Sequence, residues 1–223
     1  MYLVYSFIFT MVLVQKIERA KELISQALQE HDKIAVASSF GKDSMVVLHL
    51  VRQIDPNVKV FGVFSDTEFD ETNEFADKIV KEWNLDFKRY DFKQPQGAKN
   101  DPSLSDGETK VEALKRAVTT LDAWFSGIRN TEGFTRGNFK PLEKTNDLTK
   151  VNPILEFTEL DIWRYTAIYG LPVNPKYAEG YRSLGSADCS FPEESESETE
   201  RDGRWRGTKR QAGECGIHTV SLR

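Results

Sequence analysis

The feature that most constrains this chain is a strand that runs without a break into a small-residue loop and then into a helix. Lys33-Ile34-Ala35-Val36-Ala37 reads as a buried strand, Ser38-Ser39-Phe40-Gly41-Lys42-Asp43-Ser44 as the loop, and Met45 to Ile54 as the helix. The order repeats downstream. Val58 to Phe64 reads as a second apolar strand ending at Ser65-Asp66-Thr67, Glu71 to Trp83 as an amphipathic helix, and Asp86 to Tyr90 as a short strand. Ahead of them, Ile17, Ala20, Leu23, Ile24 and Leu28 share one helical face. This alternation predicts an α/β fold with a parallel sheet covered by helices on both faces. Ligands of such sheets bind beyond the carboxyl ends of the strands, where Ser38–Ser44 and Ser65–Thr67 lie.

The 223 residues, 39% hydrophobic and 29% charged, suffice for one large core with appendages, expected over 16–190. A net charge of −5 argues against a nonspecific nucleic-acid binder. Two cysteines are too few for a disulfide framework and fit a reducing, cytoplasmic setting. Met1 to Val14 is apolar but too short to span a bilayer and lacks the basic start of a signal peptide. The apolar extension, 1–15, is expected to be an extra packed strand, or a stretch preceding a working start at Met11, rather than a membrane anchor.

Gln94 to Glu108 is rich in Pro, Gly, Asp and Ser and reads as a surface loop able to act as a lid. Lys110 to Val118 resumes a helix, Ala123 to Gly127 reads as a strand and its exit, and Thr158-Glu159-Leu160-Asp161 caps a helix that stops at Gly170. Glu193 to Asp202 is acidic and Ser-interspersed, as in a solvated connector. It is expected to lead into a mobile tail over 191–223 that carries Cys215.

The loop after the first strand has the chemistry of an anion cradle. Backbone N–H groups and the positive helix end face the ligand there, Gly41 permits close approach, Ser38, Ser39 and Ser44 add hydroxyls, and Lys42 adds a charge. It is not a Walker A loop, because Val36 and Asp43 stand where that pattern needs Gly and Ser or Thr. The same residues would also suit a plain helix cap. At the other end, Glu214-Cys215-Gly216-Ile217-His218 offers a thiol that could attack an electrophile held by the folded body.

Ser39-Phe40-Gly41-Lys42-Asp43-Ser44 after a strand resembles the PP-loop of the adenine nucleotide alpha-hydrolase-like superfamily, and Phe40 in place of the usual first Gly resembles its sulfonucleotide reductase branch. Arg201-Asp202-Gly203-Arg204-Trp205 followed by Glu214–His218 is similar to the C-terminal signature of phosphoadenylyl-sulfate (PAPS) and adenylyl-sulfate (APS) reductases. Leu121-Asp122-Ala123-Trp124 with Gly127-Ile128-Arg129, Val151-Asn152-Pro153-Ile154, Asp161-Ile162-Trp163 and Gly180 to Gly185 resemble the family in the right order.

The resemblance implies that Cys215 attacks the sulfate sulfur to give an S-sulfocysteine, with His218 as a second catalytic residue or a tail residue with local hydrogen bonds only. It implies a nucleotide site of Ser38, Ser39, Phe40, Gly41, Lys42, Asp43, Ser44, Asp66, Thr67, Arg129, Arg136, Arg204 and Lys209. Within it, Lys42, Arg129 and Arg136 are expected to neutralise the sulfate and phosphate oxygens. Arg204, Arg206, Lys209 and Arg210 would favour the thiolate, whereas Glu214 would oppose it. Implied partners are PAPS or APS and, as electron donor, a thioredoxin or glutaredoxin-like dithiol; a homodimer is left open.

Departures from the family are equally informative. Cluster-bearing APS reductases have two cysteine pairs; here Ser105 and Asp106 fall where the first would be, and Ser186 and Cys189 where the second would be. With three of four thiolates missing, no iron–sulfur cluster or other bound metal is expected, and PAPS is favoured as substrate. Asn130 stands where the family often has a second Arg, and Ala212 where it commonly has a basic residue. Alternatives are a cluster-free APS reductase, an adenylating PP-loop enzyme of the sulfate adenylyltransferase small-subunit type, and a noncatalytic nucleotide-binding module.

Overall fold

Three parallel strands start the sheet of the computed structural model: β1 (Ile34–Ala37), β2 (Lys59–Ser65) and β3 (Phe87–Phe92), separated by helices α2 (Lys42–Arg52) and α3 (Asp70–Glu82). Helix α4 (Glu108–Val118), strand β4 (Ala123–Phe125), the hairpin β5 (Leu142–Thr145) and β6 (Leu148–Val151), and helix α5 (Glu159–Tyr169) follow. The structure describes residues 2–98, 100–101, 104–105, 108–193, 197–211 and 213–214, leaving out the side chains of 2–11 and 108. The strand order is β3-β2-β1-β4-β6-β5, with β5 antiparallel at one edge. Order reverses at β1, whose neighbours are β2 on one side and β4 on the other. A crevice for a ligand opens at such a reversal, beyond the strand ends.

Adjacent residues of each strand face opposite layers, which explains two separate cores. Val36, Val60, Ala123, Phe125 and Val151 pack with Ile24, Val47, Ile79, Ile162 and Tyr165 from the helices of one face. Ala35, Phe61, Trp124 and Leu148 pack on the other face with Leu114, Ala117 and Val118 of α4 and with Leu121. Helices on both faces are thus as the alternation predicts.

The N-terminal expectation needs correction. Helix α1 runs from Tyr2 to Glu30, so the stretch read as an extra strand is helical. Leu13, Ile17, Ala20, Ile24 and Ala27 form a buried stripe at helical spacing. Once that face is anchored, each preceding residue adds a helical hydrogen bond without a new nucleus. No helix among the described residues is long and apolar enough to cross a membrane.

Local signals set the ends of α5: Thr158 and Asp161 form a capping box, and Gly170 ends the helix at φ 59°. The hairpin was not legible in the sequence; Asn146, at φ 53°, supplies the left-handed turn that joins β5 and β6.

Candidate active site

The β1–α2 loop folds as a tight cradle through its own hydroxyls. Ser38 Oγ accepts from Phe40 N at 3.1 Å, and Ser44 Oγ donates to the Gly41 carbonyl at 3.0 Å. Phe40 takes φ 55°, a conformation that favours glycine, and its ring is wholly buried against Phe64 and Phe87. Packing of the ring thus offsets a backbone conformation that costs on the order of 1 kcal/mol or more. Nearby, a Cβ on Gly127 would meet the Ser44 nitrogen at 3.0 Å, so glycine lets the exit of β4 approach the first turn of α2.

A cavity of about 190 Å³ opens beside this cradle, beyond the carboxyl ends of β1 and β4. Ser38, Ser39, Gly41, Asp43 and Ser44 form one wall, and Phe61, Val63, Leu114 and Trp124 form an apolar end. Arg136, Arg201, Arg204 and Lys110 bring positive charge to its lining. The arrangement can take a molecule with a flat apolar part and an anionic part.

Lys42 and Arg129, expected to neutralise substrate oxygens, are not among the residues lining that cavity. Lys42 Nζ lies 3.0 Å from Glu200 Oε2 and donates to the Arg182 carbonyl at 2.5 Å. Arg129 donates to Asp43 Oδ1 at 2.6 Å and to Glu200 Oε2 at 2.5 Å. Burial opposes the charge on both bases, but Asp43, Glu200 and Glu132 outweigh it and raise both pKa values. Burial pushes the Glu200 carboxyl up against these cations, yet both lie within ion-pair distance, so the pairs hold. Glu200 and Arg201 are each only 4% exposed, which corrects the solvated-connector expectation at these residues. Their ion pairs draw the segment onto the body.

A second ion cluster borders the cavity. Glu132 pairs with Arg136 NH1, and Glu214 takes the other side of the same guanidinium, accepting from Nε at 2.6 Å and from NH2 at 3.0 Å. Arg201 Nε lies 3.4 Å from Glu214 and Arg201 NH1 3.6 Å from Glu132. Burial would raise Glu132, but Arg136 and Arg201 carry it down to about 2. Glu214 is likewise held below the usual carboxylate range, burial being outweighed by Arg136 and Arg201.

Of the other sequence candidates, Phe40 packs beneath the loop rather than on the cavity wall. Asp66 and Thr67 also stay off the wall. Asp66 Oδ1 accepts from Gln94 N at 2.8 Å, and Thr67 Oγ1 donates to Asp188 Oδ1 at 3.0 Å. Lys209 is exposed and does not line the cavity. Cys215 and His218 lie outside the described residues. Arg201, Glu132, Lys110 and Tyr177 were not anticipated, although Arg201 opens the same Arg-Asp-Gly-Arg-Trp run that pointed to Arg204. Tyr177 OH accepts from Lys42 N at 2.9 Å, and burial raises its pKa to about 12.

The places where a cluster-bearing relative would supply cysteines come together here with other chemistry. Ser105 Oγ donates to Asp188 Oδ2 at 2.7 Å, Gln94 Nε2 to Ser186 Oγ at 2.8 Å, and Arg204 NH2 to Cys189 Sγ at 3.2 Å. Hydroxyls committed to such bonds do not fit a four-thiolate cluster. Among the described residues no group of three or more His, Cys, Asp or Glu is arranged to hold a metal ion.

Residues 33–192 match the family described as the phosphoadenosine phosphosulfate reductase domain. The chain belongs to this family. Among its relatives, adenosine 5'-phosphosulfate reductase of Bacillus mycoides is 32% identical over 213 residues, covering 89% of this chain and 90% of that protein. The enzyme of the same name from Burkholderia cepacia is 27% identical over 229 residues, covering 94% and 90%. In fold, phosphoadenylyl-sulfate reductase from Candida auris superposes with a TM-score of 0.67 at 18% identity, over 77% of this chain and 90% of that one. FMN adenylyltransferase from Candida glabrata gives 0.66 at 20% identity, over 84% and 70%. The doubly covered, mostly parallel sheet of the phosphoadenosine phosphosulfate reductase domain family is therefore the architecture of this chain.

Proposed function

We propose that this chain reduces PAPS to sulfite and adenosine 3',5'-bisphosphate, using Cys215 as nucleophile and a thioredoxin-like dithiol as reductant. The observation that carries this reading is the cavity that joins the loop cradle to Arg136, Arg201 and Arg204, with Glu214, one residue before Cys215, held by Arg136. The nucleotide's flat base suits the apolar end at Phe61, Leu114 and Trp124, and its anionic groups suit the first turn of α2 and the arginines.

The sulfate of a phosphate–sulfate anhydride repels a thiolate, so its oxygens need fixed positive partners before attack. Arg204 supplies one, and Arg136 and Arg201, which share Glu132 and Glu214, complete the positive edge of the cavity. Lys42 and Arg129 enter as the charges that hold Glu200, and with it the segment bearing Arg201 and Arg204. The Cys215 thiolate forms a bond to the sulfate sulfur as the bond from sulfur to the phosphate oxygen breaks, and that oxygen leaves with the electron pair. The product is S-sulfocysteine. A dithiol then attacks the cysteine sulfur, sulfite leaves, and the second thiol closes a disulfide that frees Cys215; the dithiol's two electrons reduce the sulfonate to sulfite.

APS as substrate is a second reading, supported by the names of the Bacillus and Burkholderia relatives. The missing thiolates support PAPS instead, through the association of clusters with APS reductases. Sulfite release measured with each nucleotide and reduced thioredoxin tests both readings. We expect turnover with PAPS to exceed that with APS; the reverse order assigns APS, and no sulfite from either overturns the reductase reading.

A further inference from the structure

We propose that Glu214 is a positioning residue that seats the nucleophile-bearing tail at the cavity through Arg136 and Arg201. This rests on the reading of Cys215 as nucleophile. Glu214 and its neighbour Gly213 are held at several points: the carboxylate by the Nε and NH2 edge of Arg136, by Thr135 Oγ1 at 3.1 Å and by Arg201, the Glu214 carbonyl by Arg210 NH2 at 3.3 Å, and the Gly213 carbonyl by Arg201 NH2. The paired contact with Arg136 fixes direction as well as distance, because both oxygens engage one planar guanidinium. Cys215 follows Glu214 in sequence, and both arginines that hold Glu214 line the cavity.

The clasp also changes the electrostatics anticipated from sequence. Glu214 was expected to oppose a thiolate, but its charge is spent on Arg136 and Arg201. Arg136 has a second carboxylate in Glu132, so it retains an ion pair when Glu214 is removed. Loss of Glu214 should therefore act on placement of the tail more than on the fold.

The test compares wild type with Glu214→Ala, Glu214→Gln and Glu214→Asp in the full chain. At saturating PAPS, single-turnover sulfonation of Cys215 should fall about tenfold to a hundredfold in the Ala and Gln variants, as misplacement of a reacting group does. The Asp variant, which keeps the charge, should recover part of the rate. Affinity for adenosine 3',5'-bisphosphate should stay within about twofold, because a positioning role acts on kcat rather than on nucleotide binding. A second readout is independent of the substrate assignment: iodoacetamide should alkylate Cys215 faster in the Ala and Gln variants than in wild type, at a pH where the thiol is fully ionised, with the modified peptide identified by mass. If wild type is not sulfonated but alkylation accelerates as described, the reductase reading fails and the clasp stands. Wild-type alkylation rates in the Gln variant overturn the clasp, also where the Ala variant fails to fold.

Discussion

Glu200 Oε2 lies 2.5 Å from Arg129 NH2 and so joins the loop after β4 to a segment 71 residues further along the chain. The same oxygen is 3.0 Å from Lys42 Nζ. This one carboxylate therefore joins both ends of the chain's anion chemistry, and Arg201 and Arg204 follow it onto the cavity. Glu200→Ala leaves buried cations without one of their partners and should destabilise the protein by about 3–5 kcal/mol. Urea denaturation checks this, and an unchanged midpoint would refute this junction.

Glu132 predicts an acid limb of stability. Its carboxyl is near 2 in the folded protein against an ordinary 4.5, so its contribution is complete above about 4.5 and is lost as pH falls toward 2. Across that window the unfolded chain binds more protons, and stability must drop with falling pH. Glu132→Gln should flatten this part of the profile, as measured by denaturation at a series of pH values. An unchanged slope would remove Glu132 from the ion cluster.

Cys189 is fully buried beside Trp205, and its sulfur accepts from Arg204. Cys189→Ser keeps a hydrogen-bond acceptor at that place and should leave turnover within a few-fold. Complete loss of activity would mark Cys189 as a redox partner of Cys215.

Much of the frame was legible because its signals are local. The strand, loop and helix around Ser38–Ser44, the capping box at Thr158 and the stop at Gly170 each depend on neighbours in sequence. The hairpin at Asn146 was missed because β5 and β6 are short and mixed in polarity, with only the turn residue to announce them. The candidate residues divide by where the fold places them. The cradle serines and Arg136 and Arg204 line the cavity, whereas Lys42 and Arg129 are turned to Glu200 by a contact between residues 158 and 71 positions apart. Charge type is visible in sequence; which carboxylate already satisfies a cation is a property of the folded chain.

Iron content is predicted from the same residues that replace the cysteine pairs. With Ser105 and Ser186 hydrogen-bonded to Asp188 and Gln94, purified protein should be colourless and contain no stoichiometric iron. Metal and acid-labile sulfide analysis checks this, and about four irons per chain, as in a cubane cluster, would contradict it.

The central claim is that Cys215 accepts the sulfonate. Intact-mass measurement after mixing the protein with PAPS or APS, in the absence of any dithiol, tests it most directly. The account predicts a gain of one sulfonate per chain, mapped to the Cys215 peptide, removed by added reduced thioredoxin and absent from Cys215→Ser, which should still bind nucleotide because the loop cradle is untouched. An unmodified wild-type mass with both nucleotides, or a sulfonate that persists in Cys215→Ser, would contradict it.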